Sequence, residues 1–303
     1  SHPEEHRGHR SGCRGGGYGG RGGVNRAVFC PREVYGVIGH PLGHSLSPLL
    51  HNWGFQRLGL PKVYMRWPVT PEALPGFVQA VRALPVAGLS VTIPHKERVL
   101  PHLDGVSPRA RELGAVNTLY WREGRLLGEN TDVGGFAAPL RQLGSRVHSG
   151  VVLGAGGAAR AVVLGLRELG AASIRIAARN PDKAAGLARE LGATALDWGE
   201  REQAAGDVLV NATPLGMAGK WSQESPYPFP ASLAGFGTVY DLVYTPPLTP
   251  LLRAARTAGC RTIPGAAMFV HQAAEQFRLW TGQDLPVQEA ALVVERALSG
   301  QGT

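Results

Sequence analysis

The chain has 303 residues, 44% of them hydrophobic, enough for one large domain or two ordinary ones around a substantial core. It contains no run of about eighteen apolar residues, and its amino terminus carries Arg, His and Gly where an export signal has an apolar stretch, so it reads as soluble and not exported. Of the formal net charge of +8, residues 1–30 supply +3, five Arg against two Glu; the remaining +5 on 273 residues requires no polyanionic partner and favours anionic small molecules.

The first thirty residues hold nine glycines and few apolar side chains, too little to offset the entropy of ordering, so residues 1–32 are expected to be a flexible tail. Arg14–Gly23 has the look of one RNA-binding Arg-Gly-Gly stretch, but a single copy gives no reason to expect nucleic acid as a partner. From Glu33 onward, short β-branched runs alternate with helical stretches punctuated by Gly and Pro, the pattern of parallel βαβ units. The predicted elements are strand Val34–Ile38, helix Pro48–Leu58 stopped at Gly59, strand Lys62–Trp67, helix Pro71–Ala83 and strand Gly88–Ile93. A second series follows: strand Val151–Leu153, helix Ala158–Leu169, strand Ser173–Ala177, helix Pro181–Leu191, and strands Asp207–Val210 and Thr238–Leu242. Helices Met268–Trp280 and Val287–Leu298 close the chain. The three cysteines, Cys13, Cys30 and Cys260, fit neither a disulfide framework nor paired metal-ligand spacing, and reduced thiols in a cytoplasm are expected. No zinc ligand set is present, and His2, His6 and His9 read as solvated side chains.

Between the strand ending at Leu153 and the next helix, Gly154, Gly156 and Gly157 let backbone N–H groups approach a pyrophosphate at a helix amino terminus. After the following strand, where an NAD-binding protein places an acid on the ribose diol, the chain has Arg179, with Lys183 one helical turn on. A guanidinium clamps a 2′-phosphate through paired hydrogen bonds, which predicts NADP. The competing reading makes Arg179 a solvated cation and Asp182 the ribose ligand, although an acid at a helix start is already accounted for by the helix dipole.

Reduction of a ketone by NADPH requires a proton donor within reach of the carbonyl oxygen. Candidates cluster in two segments. Ser45 and Ser47 stand beside a helix start suited to a carboxylate, although Ser47 before Pro48 also reads as a plain helix cap. Thr92 and Lys96 leave the carboxyl end of a strand, the usual location of ligands in α/β folds.

At this point the sequence resembles the shikimate dehydrogenase family. The resemblance runs from about residue 34 to the end and is carried by Gly39–Asn52 (GHPLGHSLSPLLHN), Val91–Lys96 (VTIPHK), Gly114–Thr118 (GAVNT) and Asn130–Asp132 (NTD). Gly154–Arg160 (GAGGAAR), Asn211–Met217 (NATPLGM), Asp241–Tyr244 (DLVY) and Gly265–Gln272 (GAAMFVHQ) continue it. It implies an α/β protein of two domains: a substrate domain of residues 33–131 plus 266–303, and a Rossmann-like NADP domain of residues 132–265, with the active site in the cleft between them. It further implies reversible, NADP-dependent reduction of 3-dehydroshikimate to shikimate on the route to chorismate and the aromatic amino acids. Lys96 and Asp132 become the catalytic pair. Ser45 and Ser47 hold the substrate carboxylate, Thr92, Asn117, Asp132 and Gln272 contact its hydroxyls, and Tyr244 lies close to the carboxylate. Gly154, Ala155, Gly156, Gly157, Ala158, Arg179, Lys183, Asn211, Thr213, Met217, Leu242 and Gly265 contact the cofactor.

One position departs from the family. Ser90 stands where Asn is usual, and a shorter hydroxyl reaches the substrate through water or not at all, which leaves quinate open as a second substrate. His95 is expected to make a loop contact, His51 and Asn52 to pack or to act, and His271 to lie on the other helical face from Gln272. The expectation is a cytoplasmic monomer or homodimer that meets a small molecule and no membrane. The alternatives are an enzyme of broader substrate and cofactor use, or a silent homologue that senses metabolites or binds RNA. Retention of both Lys96 and Asp132 speaks against silence.

Overall fold

The computed structural model describes residues 29–43, 45–144 and 146–300. The predicted tail and Cys13 therefore lie almost wholly outside the described residues. The described residues from Pro31 onward form one compact unit built on two six-stranded sheets.

The first sheet holds β1 (Glu33–Gly39), β2 (Lys62–Pro68), β3 (Val86–Val91), β4 (Gly105–Val106), β5 (Thr118–Arg122) and β6 (Arg125–Glu129), in the order β2-β1-β3-β5-β6-β4. Strand β1 pairs in parallel with β2 and β3, as the alternating pattern requires, whereas β5 runs antiparallel to both β3 and β6. This mixed sheet differs from the purely parallel expectation because a two-residue hairpin, Glu123 (φ +52°) and Gly124 (φ +70°), turns β5 directly into β6. Around this sheet lie α1 (Ser47–Arg57), α2 (Leu74–Val81), the single turn α3 (His95–Arg98) and α4 (Pro108–Leu113). Helix α2 starts three residues later than predicted, after a turn at Pro71–Ala73.

Helix α5 (Asp132–Gln142) leads to the second sheet and was not expected, since Gly134, Gly135 and Pro139 all lower helix propensity. Its glycines answer to packing: a Cβ on Gly135 would lie 2.6 Å from Gln272 Cβ, so the two helices can meet only where that side chain is missing. The second sheet holds β7 (Ser149–Leu153), β8 (Ser173–Ala177), β9 (Thr194–Leu196), β10 (Gly206–Asn211), β11 (Phe236–Asp241) and β12 (Arg261–Pro264). Its order, β12-β11-β10-β7-β8-β9, is parallel throughout and that of a doubly wound dinucleotide-binding sheet, with the switch point between β7 and β10. Helices α6 (Gly157–Glu168), α7 (Pro181–Glu190) and α8 (Pro250–Thr257) belong to this half of the chain.

Helices α9 (Gly265–Thr281) and α10 (Val287–Leu298) return to the first sheet. Val270, Ala273 and Phe277 of α9 and Ala290 and Val294 of α10 share a buried cluster with Tyr35, Val37, Leu50, Phe55 and Tyr64. Fully burying an aliphatic or aromatic side chain contributes about 1.5–3 kcal/mol, so this cluster fixes where the whole of α9, including Gln272, must lie. On the other side, Phe136 of α5 stacks on Tyr240 of β11 (centroids 5.0 Å apart). Arg109 of α4 ties the halves together through Glu168 of α6 and Glu275 of α9, both at 3.0 Å. No helix among the described residues is long and apolar enough to cross a membrane.

Candidate active site

Two clefts open at the carboxyl ends of the strands. The first, about 680 Å³, is lined by Ser45, Ser47, Thr92, Lys96, Asn117, Asp132, Tyr244 and Gln272, together with Ala158, Met217, Leu242 and Gly265. The chain brings these residues from both sheets to one place. The second, about 390 Å³, is lined by Gly154, Ala155, Gly156, Arg179, Lys183 and Thr213. Gly157 and Asn211 line neither.

The end of β3 and the short α3 aim Lys96 into the first cleft, and Val116 N donates to the Lys96 carbonyl at 2.8 Å, pinning its backbone. Lys96 Nζ donates to Asp132 Oδ2 in an ion pair whose lysine stays one third exposed toward the cleft. Asp132 is the first residue of α5, and its other oxygen, Oδ1, accepts from Asn117 Nδ2 at 2.8 Å. Asn117 cannot turn its amide around, because Oδ1 already accepts from Thr118 Oγ1 (2.7 Å) and Thr131 N (2.8 Å). The pair thus has a fixed geometry before any ligand arrives.

The plain cap reading of Ser47 does not hold. Helix α1 is capped at Leu46 without a side-chain bond, Ser47 is its first residue and is buried, and Ser47 N donates to Ser45 Oγ at 3.3 Å. Both serines line the cleft beside the helix start. Tyr244 stacks on Phe269 (5.7 Å), and burial pushes its phenol above the usual range, so it stays a neutral donor. Thr131 Oγ1 donates toward Gln272 Oε1 at 3.5 Å, and Gln272 Nε2 donates to the Phe269 carbonyl at 3.0 Å.

The second cleft fits a dinucleotide. Gly154 has φ +111°, and a Cβ there would lie 2.9 Å from the Ala212 carbonyl, so only glycine lets the turn after β7 sit against the loop after β10. Gly156 and Gly157 have open space above them at the start of the twelve-residue α6, where a pyrophosphate would meet free N–H groups. Arg179 and Lys183 are exposed on its rim. Asn180 caps α7 by accepting from Lys183 N at 3.0 Å, leaving Asp182 exposed in the first turn. Asn211 is buried beneath: it donates to the Leu215 carbonyl and Asp241, and it accepts from Thr213 N (2.9 Å) and Thr213 Oγ1 (2.7 Å). With its amide fully used, Asn211 holds Thr213 in place rather than reaching the cleft. Asp241 shares that network, and burial raises its carboxyl to about 6.

Comparison with known proteins decides the family. The shikimate dehydrogenase substrate binding domain matches residues 37–119, the shikimate 5′-dehydrogenase C-terminal domain matches 265–291, and a family described as NADP oxidoreductase, coenzyme F420-dependent matches 150–229. The shikimate dehydrogenase (NADP+) of Oleidesulfovibrio alaskensis is 49% identical over 89% of this chain and 97% of its own. The chain belongs to the shikimate dehydrogenase family. The Thermus thermophilus shikimate 5-dehydrogenase, solved with NADP(H) and shikimate, superposes with a TM-score of 0.80 at 40% identity, covering 88% of this chain and all of that one. A quinate dehydrogenase from Corynebacterium glutamicum, solved with NAD, has the same TM-score at 33% identity, over 87% of this chain and 98% of its own.

Several residues of this shikimate dehydrogenase family member escaped the sequence reading. Trp198 lines the second cleft, with the buried Arg201 guanidinium 4.1 Å from its ring centroid, and Trp221 lies 5.7 Å from Arg179. Isolated tryptophans in loops carry no spacing signal. Gln276, one turn beyond Gln272 on α9, reaches the first cleft, where it bonds Ser90. His95 makes the expected loop contact, with Nε2 against the Val69 carbonyl at 2.7 Å. His51 packs: it stacks on Tyr64 (4.6 Å), and burial lowers its pKa to about 3.

Proposed function

We propose that this chain reduces 3-dehydroshikimate to shikimate with NADPH, reversibly, and that Lys96 and Asp132 carry the proton chemistry. The observation that carries the reading is the Lys96–Asp132 pair, held by Asn117 in the wall of a cleft that also receives Ala158, Met217, Leu242 and Gly265 from the nucleotide-binding half. NADPH, when bound, supplies the hydride. Gly154 to Ala158 and Thr213 would hold its phosphates and ribose, with Asn211 acting through Thr213, and Arg179 and Lys183 would meet the 2′-phosphate. Met217, Leu242 and Gly265 would wall the nicotinamide.

Ser45, Ser47 and Tyr244 anchor the substrate carboxylate, and Thr92, Asn117 and Gln272 its hydroxyls, placing the ring carbonyl at Lys96. As hydride adds to the carbonyl carbon, the π pair moves onto oxygen, and the Lys96 ammonium gives that oxygen a proton. The lysine is left as a neutral amine that solvent reprotonates, while Asp132 keeps it aimed. Water exclusion follows from closure of residues 33–131 plus 266–303 on residues 132–265, taken here as the substrate and NADP domains. The protein acts in the cytoplasm, as a monomer or homodimer.

The test is absorbance at the reduced-nicotinamide band with shikimate or quinate and NADP or NAD. Signal with shikimate and NADP is expected. Equal turnover of quinate, or equal use of NAD, would replace this reading with the broader-specificity enzyme, and no turnover with any combination would favour a non-enzymatic homologue.

A further inference from the structure

Beneath the first cleft runs a chain of hydrogen bonds with a single sense. Tyr64 Oη donates to Ser90 Oγ (2.6 Å), Ser90 Oγ donates to Gln276 Oε1 (2.9 Å), and Gln276 Nε2 donates to Thr118 Oγ1 (2.9 Å). Thr118 Oγ1 donates to Asn117 Oδ1 (2.7 Å), and Asn117 Nδ2 donates to Asp132 Oδ1 (2.8 Å). The direction is imposed at the far end, where an ionised carboxylate paired with Lys96 can only accept.

Gln276 is the hub of this chain. It is 1% exposed, and all four of its bonding positions are taken: Oε1 accepts from Ser90 and from His51 Nε2 (3.3 Å), and Nε2 donates to Thr118 and to the Asn117 carbonyl (3.2 Å). An amide so deeply buried is costly unless satisfied in this way, and once satisfied it has one orientation. Two consequences follow. Ser90 has committed its only proton to Gln276 and one lone pair to Tyr64, so toward the cleft it can act only as an acceptor. The Asn117 amide, with its oxygen held by Thr118 and Thr131, must present its nitrogen to Asp132.

We propose that Gln276 is a positioning residue that holds Ser90 as an acceptor-only floor for a substrate ring hydroxyl and, through Thr118, buttresses the Asn117 amide that donates to Asp132. This rests on the shikimate reading of the same cleft. Ser90 and Gln276 act as one unit, in which the glutamine from α9 completes what a serine alone is too short to build.

The experiment compares the full chain with Gln276→Met, which keeps the length but loses the amide, with Ser90→Ala, and with the double variant. Shikimate and NADP Kd by calorimetry, kcat, both KM values and Tm are read for each. Gln276→Met is expected to raise the shikimate Kd and KM about tenfold and to lower kcat severalfold, with the NADP constants unchanged. The double variant is expected to be no worse than Gln276→Met, because both substitutions cut one chain. Shikimate constants within twofold of wild type in Gln276→Met would overturn the proposal, as would equal losses for shikimate and NADP that track a lowered Tm. If Gln276→Met does not fold, Ser90→Ala and Tyr64→Phe cut the chain upstream, and unchanged shikimate constants in both would overturn it. Wild type that binds no shikimate would sink the substrate reading and this inference with it. Wild type that turns shikimate over while the variants match it would sink this inference alone.

Discussion

The two clefts are made of different material. The first is walled by side chains already bonded to one another, from Tyr64 through Gln276 and Asn117 to the Lys96–Asp132 pair. The second is made of backbone turns and cations at its rim: Gly154 to Gly156 leading into α6, and the exposed Arg179 and Lys183. Chemistry that must place a proton within hydrogen-bond reach needs a site organised before the ligand arrives, and buried polar networks provide it. Grip on a polyanion needs donors and positive charge, which work as well from flexible, solvated side chains completed by the ligand itself. Damage to the first cleft should therefore spread along its network, whereas damage to the second should stay local and scale with charge.

The hardest test of this contrast is Lys96→Ala, expected to lower kcat by about 10²–10⁴-fold with the shikimate KM changed only a few fold, as for loss of a positioned acid–base group. Unchanged turnover in a steady-state assay would remove Lys96 from the mechanism. Next in size, Arg179→Gln should raise the NADP KM by about 10–100-fold, the loss of a charge-assisted contact, and leave both the NAD KM and the shikimate KM near wild type. An equal rise for NAD would show that the guanidinium shapes the loop and does not read the phosphate.

The smallest effect concerns stability under the first cleft. His51 is neutral when folded, with its pKa lowered by burial to about 3, so between that value and about 6.5 the unfolded chain binds more protons and stability falls as pH falls. The loss is up to roughly 1.4 kcal/mol per pH unit. Asp241 has the opposite sign: its carboxyl, raised by burial to about 6, makes stability fall as pH rises from about 4 to 6. The difference between wild type and His51→Phe isolates the histidine. Urea unfolding at pH 7.5 and 5.5 should show wild type losing about 1.4 kcal/mol more than the variant; equal losses would mean that His51 is not held neutral.

Much of the second sheet was legible in the residues because its signals are local. The turn after β7, the start of α6 and Arg179 after β8 fall within one stretch whose spacing carries their meaning. The first sheet was legible only in part. The hairpin at Glu123-Gly124 was missed although a two-residue turn between apolar runs is itself a signal, and α5 was missed because Gly134, Gly135 and Pro139 obscure its periodicity. Ser90 looked like a shortened substrate contact. In the fold it is one link to Gln276, 186 positions away, a partnership that no local pattern can announce.

By itself the sequence determined the αβ alternation, the glycine turn, the cation in place of a ribose acid, and the motif residues that belong to one family, because periodicity, backbone freedom and charge act over a few residues. Only the tertiary structure decided that α9 returns to the first sheet, that α5 packs against it through Gly135, and that Ser90, Gln276, Asn117 and Asp132 join in one directed chain. Those outcomes depend on burying apolar faces and satisfying buried polar groups between segments distant in the chain, and both are settled by packing in three dimensions.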